Sequence, residues 1–549
     1  METTSVETQP RRTTGWVLIE TLRNYGVDTV FGIPGTHNLE FYRPLAALGV
    51  HPVTARHEQG AGYAADGWSL QTGKPGVVIT TSGPGLLNAL SAAGTAYCES
   101  RPMILLSPGP ARGREFADVG TLHETKDQLG AASAIVEWGR RVQSVEEAVA
   151  AVHDAFALFR TGRPRPVYIE VPLDLLEEET GLDGDALTAR ESAPVAAPDA
   201  AAVAEAARLL AGANDPVILA GGGSRGAADE LRALAERLNA PVVTTLNAKG
   251  VLDERHPLSL GSNLRLAAAR NRARDADVLL VVGSKLGEAE LWVEALEARG
   301  QVIRVDLVAA QLDKNQPAEV RIVADAAAAL AAIGRRLESQ EEDSHTPASS
   351  ALRDPRVAET LAAVAAECAE LSAVNTALAD AIVAALPDDA IVTTDSSQIA
   401  YWGLLNRLRV ATPDSTPYMA TYATLGYGLP AAIGARVARP DRPVFAVVGD
   451  GALMFSLQEF MTVVEQRLDV TVIVVDNGGY AEIKQNEADA GIAPVGVDLA
   501  QPDWAALADA FGGTGRRVAS AAQLADAVAA AGAAGGLQVV HLPQHTFTR

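Results

Sequence analysis

Short apolar, β-branched runs alternate along the chain with longer stretches of helical character. From Trp16 to about Leu175 the runs read DTVFGI, HPVTA, GVVITT, PMILLS and PVYIEV. A second series (PVILAGGG, APVVTT, ADVLLVVG, QVIRVD) follows an Ala-rich stretch after Asp199 and fades near Arg336. A third (AIVTTD, PVFAVVGDG, VTVIVVDN, LQVVHL) occupies the C-terminal part. Strands separated by helical segments predict βαβ units and parallel sheets. Two polar interruptions read as linkers: LLEEETGLDGDALTARESAPVAAP, and the charged, Ser-rich ESQEEDSHTPASS. The expected architecture is α/β, with three doubly wound parallel-sheet domains at residues 13–178, 198–336 and 356–549.

The length agrees, because 549 residues exceed what one hydrophobic core holds. A formal charge of −23 argues against nucleic acid or an anionic membrane as partner, since nothing offsets phosphate repulsion. Cys98 and Cys368 stand far apart and in no metal-ligand spacing, so neither a disulfide framework nor a zinc site is expected. The N-terminus (METTSVETQPRRTTGW) has two arginines but no apolar stretch behind them, and no run of about 18 apolar residues follows. A cytoplasmic protein is the expectation.

The strongest local signal lies between Val444 and Tyr480. One strand runs into Gly449-Asp450-Gly451, and the next ends at Asn477-Gly478-Gly479-Tyr480. Neighbouring parallel strands would deliver Asp450 and Asn477 to the carboxyl edge of the sheet, where ligands bind in such folds. Mg²⁺ wants oxygen ligands and usually shares them with a phosphate. Asp450 offers a carboxylate, Asn477 an amide oxygen and Gly479 a carbonyl. Gly449 and Gly451 permit a tight turn, and the helix expected to follow (ALMFSLQEFMTVVEQ, from Ala452) presents N–H groups to a diphosphate. The bland alternative is a strand–turn–helix with a polar tip.

This segment resembles the thiamine-diphosphate motif that starts GDG and ends NN; here Asp476 replaces the first Asn. The chain is thus similar to the acetolactate synthase and 2-oxo acid decarboxylase superfamily over nearly its whole length. The resemblance implies a pyrimidine-binding, a central and a diphosphate-binding domain, thiamine diphosphate and Mg²⁺ as cofactors, and a homodimer or homotetramer with half-sites from different subunits. It also implies roles for particular residues. In ARHEQGAGYAADGWSLQTGKPGVVITTSGPGLLN, Glu58 would hydrogen-bond the aminopyrimidine ring, and a raised pKa in an apolar pocket would let it shuttle a proton that generates the ylid. Gly83, Pro84 and Asn88 would lie next to the cofactor. In YATLGYGLPAAIGA, Leu425 would fill the place under the bent cofactor and the Ala423 carbonyl would accept from the 4'-amino group, although the family often has Gly there. Ile483 would cover the thiazolium face.

Substrate identity rests on fewer residues. The loop GIPGTHNLEFYR contains Thr36 and His37 where acetolactate synthases carry a second Gly, and Leu122-His123-Glu124-Thr125 replaces their Phe-Gln-Glu. His123 would face the reacting centre and move protons near neutral pH; a plain structural hydrogen bond is the alternative for it, as for His37 and His57. These loops, with DNGGYAEIKQNEADAGIAPVGVD, resemble 5-guanidino-2-oxopentanoate decarboxylases. Glu482, Glu487 or Asp489 would then pair with a guanidinium, unless they merely form a solvated helix face. The central GGGSRG (Gly221–Gly226) matches a dinucleotide fingerprint, but LSLGSNLRL and VVGSKLGEAELW depart from the FAD-binding segments of acetolactate synthases, so FAD is not expected.

The leading expectation is non-oxidative decarboxylation of a 2-oxo acid through ylid and enamine. The alternative is carboligation, like acetolactate synthase or carboxyethylarginine synthase, which shares every step up to the enamine. A degenerate, regulatory thiamine-binding protein would have lost Glu58. A nicotinamide oxidoreductase would leave the GDG…DN pair unexplained.

Overall fold

The computed structural model describes residues 11–191, 195–344 and 354–547. The first ten residues, three residues of the first polar interruption, the last six of the second with the three that follow, and the final two residues lie outside them. Two compact units divide the chain: Met1–Tyr97 with Arg101–Ser192, and Cys98–Ser100 with Ala193–Arg549.

Among the described residues, the first unit holds one sheet: β1 (Thr29–Gly32), β2 (His51–Thr54), β3 (Gly76–Ile79), β4 (Met103–Gly109), β5 (Trp138–Arg141) and β6 (Val167–Pro172). Their order is β2-β1-β3-β4-β6-β5. The second unit holds two sheets. One joins β7 (Pro216–Ala220), β8 (Val242–Thr244), β9 (Val278–Val282), β10 (Gln301–Asp306) and β11 (Val320–Val323) in the order β11-β10-β9-β7-β8. The other joins β12 (Ile391–Thr394), β13 (Val444–Gly449), β14 (Val470–Asp476), β15 (Thr514–Arg517) and β16 (Leu537–Pro543) in the order β12-β13-β14-β16-β15. Every pairing between these strands is parallel. Three parallel-sheet α/β domains are therefore present, as the alternation of runs implies.

The central strands are fully buried and read as apolar runs because helices cover both faces. β5, β11 and β15, which the runs did not announce, are edge strands. β5 (WGRR) and most of β15 (TGRR) are half-buried, and β11 alternates buried and exposed positions. An edge needs no apolar residue on its outer side, so its sequence carries little signal.

Both polar interruptions contain more structure than their composition suggests. In the first, Leu187 is 1% exposed and packs with Val17 and Val149, and the Arg190 amide donates to the Tyr25 hydroxyl. The second begins inside the helix Ala326–Ser344.

The 31-residue helix Pro355–Ala385 is long and apolar enough, by length and composition, to cross a membrane. Its apolar face is instead used inside the fold. Val357, Val364 and Cys368 join the core around β7 and β9, and Leu378, Ala379 and Ile382 join the core around β12 and β13. Non-helical Ser372 (φ −161°, ψ 94°) separates the halves, so one helix serves two cores.

Candidate active site

In the first unit, strands in the order β2-β1-β3-β4 bring their carboxyl ends side by side. Beyond β2, Glu58 opens the helix Glu58–Thr72, and the ring of His57 caps it by accepting from the Gln59 amide. Asn88, on the helix Pro84–Glu99, donates its Nδ2 to Glu58 Oε2 at 3.0 Å. A Cβ on Gly85 would lie 3.3 Å from Glu58 Oε1, so the glycine leaves space beside the carboxylate. The Tyr42 hydroxyl is buried without a hydrogen-bond partner, and burial, then the charge of Glu58, push its pKa up.

The two histidines meet. Their ring centroids are 5.2 Å apart at 71°, edge to face. His37 Nδ1 lies 2.7 Å from Ser82 Oγ, and His123 Nδ1 lies 3.3 Å from Thr81 Oγ1. Partial burial, then the nearby His123, lower the pKa of His37, favouring its neutral form. His123 sits in the left-handed region (φ 60°), on a loop that Glu124 pins by accepting from the Val119 and Gly120 amides. Gly83 explains how the loop seats: its φ is +62° and a Cβ there would stand 2.4 Å from the His123 carbonyl oxygen. The Gly83 amide donates to Gln128 Oε1 at 2.6 Å, and Gln128 Nε2 donates onward to the Tyr168 hydroxyl at 2.7 Å. A cavity of about 780 Å³ opens here, lined by His37, Ser82, His123, Gln128, Arg114 and Lys126 among others. Thr36 and Pro84 are exposed at this end of the sheet.

In the second unit, β13 and β14 pair in parallel with Gly449 opposite Val475, which places Asp450 and Asn477 at adjacent strand ends. The segment after Gly451 is broken rather than one continuous helix, with the helix Asp450–Leu453, a 3₁₀ turn Leu457–Glu459 and the helix Phe460–Glu465. Asp450 is 1% exposed. Burial, then the neighbouring Asp476, raise its carboxyl pKa to about 6. One terminal atom of the Asn477 amide stands 3.1 Å from both Asp450 Oδ1 and the Gly479 carbonyl oxygen. With nitrogen there, the amide donates to both. With oxygen there, three oxygens converge and require a cation. A hard divalent ion asks for that donor set.

Further oxygens around this edge are buried and unpaired: Asp450 Oδ2, Asp395 Oδ2, Ser397 Oγ and Ser456 Oγ. Each such atom costs about 1–3 kcal/mol when left unmet, so a fold that retains four in one edge is built to meet a polar ligand there. Asp395, 0% exposed, closes β12 and accepts from the Tyr427 amide at 2.8 Å, holding the turn that begins YATLGYG. Burial raises its pKa to about 7. In that turn Ala423 has φ +51°, a left-handed conformation that explains why glycine suits the position. Leu425 is half-buried, Ala452 is 4% exposed, and Tyr480 packs within 2.9 Å of where a Cβ on Gly451 would be.

The helix Ala481–Asp489 follows. Ile483 is 50% exposed. The Glu482 carboxylate accepts from Trp402 Nε1 at 3.0 Å and Gln398 Nε2 at 3.1 Å. Glu487 accepts from the Val495 amide and Asp489 from Gln485, both beyond this cluster. In the central sheet, the Gly221 and Gly223 amides donate to the carbonyls of Val282 and Gly283, so this glycine-rich turn spends two of its N–H groups on its own backbone.

Sequence reasoning missed Asp395, Ser397, Gln128, Gln398 and Trp402. Asp395 had a usable signal, since an acid closing the apolar strand AIVTTD stands as Asp450 does after VFAVVG. The others lie on helices and loops with no motif around them.

Comparison with known proteins agrees with this geometry. Residues 12–131 match the thiamine pyrophosphate enzyme N-terminal TPP binding domain, 203–333 the central domain, and 395–542 the C-terminal TPP binding domain. The chain is 39% identical over 508 residues to a probable 2-ketoarginine decarboxylase of Pseudomonas aeruginosa, covering 92% of this chain and 89% of that one. It is 32% identical over 498 residues to the acetolactate synthase isozyme 1 large subunit of Escherichia coli, covering 88% and 85%. It is 30% identical over 537 residues to a probable acetolactate synthase large subunit of Methanococcus aeolicus, covering 93% and 88%. Three parallel sheets, two built carboxyl edges and these matches make the chain a member of the thiamine pyrophosphate enzyme family.

Proposed function

We propose that this enzyme decarboxylates a 2-oxo acid without oxidation, with 5-guanidino-2-oxopentanoate as the leading substrate and release of CO₂ and the aldehyde. The observation that carries the reading is the convergence of Asp450, Asn477 and the Gly479 carbonyl beside four unmet buried oxygens, in a chain whose similarity to a probable 2-ketoarginine decarboxylase spans 92% of its length. Asp450, Asn477 and Gly479 would hold Mg²⁺, and Gly449, Gly451 and Ala452 would approach the diphosphate. Bound thiamine diphosphate supplies a carbon nucleophile and an electron sink that let a 2-oxo acid lose CO₂. Glu58, oriented by Asn88, would hold and move a proton at the aminopyrimidine end of the bound cofactor, and the Ala423 carbonyl would accept there. Leu425 would support the bound cofactor and Ile483 would cover it. His123, with His37 held neutral beside it, delivers the proton that completes the aldehyde. The active site then assembles from halves contributed by different subunits of a cytoplasmic homodimer or homotetramer, and domain bounds of 13–178, 198–336 and 356–549 serve it. No FAD is proposed for the central domain, where the Gly221 and Gly223 amides serve their own backbone.

Carboligation is the second reading, favoured by the similarity to acetolactate synthases. Product analysis separates the two. The protein loaded with thiamine diphosphate and Mg²⁺ is given pyruvate and 5-guanidino-2-oxopentanoate separately. CO₂ with 4-guanidinobutanal from the guanidino acid is the expected result. Acetolactate from pyruvate, with the guanidino acid inert, overturns it.

A further inference from the structure

We propose that Glu482, held by Trp402 and Gln398 beside the Tyr401–Trp402–Trp292 aromatic cluster, is the specificity residue that binds the cationic guanidinium end of the substrate. The inference rests on the decarboxylase reading and selects one carboxylate and its surroundings from the three acids of this helix.

Glu482 is half-buried and opens the helix Ala481–Asp489, three residues after Gly479. Its hydrogen-bond partners are neutral: the Trp402 indole and the Gln398 amide. No described Lys, Arg or His pairs with it, whereas its neighbours are matched, Asp498 by Lys484 and Asp476 by His541. Neutral donors fix where this carboxylate points and leave its charge uncompensated. A half-removed charge of that kind gains most when a cation arrives.

The walls suit a flat cation. Trp292, Tyr401 and Trp402 form a triangle of edge-to-face rings with centroids 5.0, 5.7 and 6.3 Å apart. Trp292 is 39% exposed, so the cluster reaches the surface. It already accommodates one guanidinium, that of Arg265, 4.9 Å from the Trp292 ring centre. Aromatic faces favour a planar guanidinium over a compact ammonium, and a carboxylate can meet its paired N–H groups. Glu487 and Asp489 lack these surroundings and are engaged by Val495 and Gln485.

The test uses the holoenzyme and two readouts. The oxo-free analogue 5-guanidinopentanoate should quench tryptophan fluorescence through Trp292 and Trp402, and Glu482→Gln should bind it roughly 10- to 100-fold more weakly. The ratio of kcat/KM for 5-guanidino-2-oxopentanoate over 2-oxohexanoate should fall by a similar factor. Trp402→Phe keeps an aromatic ring but removes the N–H, and should lower the same ratio by a smaller factor; it stands in should Glu482→Gln not fold. Equal losses for both substrates, with the ratio unchanged, overturn the inference and leave Glu482 as a staple of its helix. Wild-type turnover of the guanidino acid with an unaltered ratio in both variants sinks this inference alone. Glu482-dependent binding of the analogue without turnover sinks the decarboxylase reading and upholds the cation site. Neither binding nor turnover overturns both.

Discussion

The carboxyl edges of the first and last sheets share one architecture and treat charge in opposite ways. At the first, Glu58, His37 and His123 are half-buried, each side chain beside a neutral partner (Asn88, Ser82, Thr81), and the histidines border a cavity of about 780 Å³. At the last, Asp395 and Asp450 are 0% and 1% exposed, keep one oxygen unpaired each, and are raised to about 7 and about 6. Groups that move protons need access to the reacting atoms. Groups that bind ions gain from a dry site, where each unit of charge interacts more strongly. Parallel strands therefore provide two electrostatic environments, and the loops decide which.

The sharpest way to break this contrast is to exchange the expected losses. Glu58→Gln should lower turnover by roughly 10³-fold while cofactor binding persists, because the side chain remains a hydrogen-bond partner but no longer moves a proton. Stopped-flow decarboxylation with a parallel thiamine diphosphate titration reads both. Asp450→Ala should act in the other direction, weakening Mg²⁺-dependent cofactor affinity by about 100-fold. Calorimetric titration at fixed Mg²⁺ reads it. A cofactor affinity lost in the first variant and kept in the second would reverse the roles assigned to the two edges.

What the sequence revealed follows the same division. Buried strands were legible because both faces must be apolar, and Asp450 and Asn477 because strand ends in register fix their distance. The edge strands β5, β11 and β15 were not, since their outer positions accept Arg and Gly. Glu58 and His123 were found through resemblance, but their partners were not: Gln128, which ties Gly83 to Tyr168, lies in no motif, and its role depends on loops that only the folded chain brings together. Glu482 was one of three equivalent acids until Trp402 and Gln398, about 80 residues earlier, distinguished it. The long helix Pro355–Ala385 shows the limit of composition, for its apolar face was invisible to a search for unbroken apolar runs and its division at Ser372 follows no Pro or Gly.

The smallest expected effect probes the dry edge most directly. Asp395 accepts from the Tyr427 amide, and the Gly426 and Gly428 amides nearby also favour its ionised form, yet burial outweighs them and lifts it from 3.8 to about 7. The folded chain then keeps a proton that the unfolded chain releases between about pH 4 and 7. Stability falls with rising pH wherever the folded state binds more protons, so this group's contribution is fullest at low pH and is lost as pH rises through that window. Asn cannot take up the proton, so Asp395→Asn should remove the slope. Between pH 5 and 7.5 the wild type should lose roughly 2 kcal/mol more stability than the variant, read from urea unfolding of cofactor-free protein at both values. Equal slopes would mean that the amides hold Asp395 ionised in the fold, and the contrast between wet and dry edges would then rest on Asp450 alone.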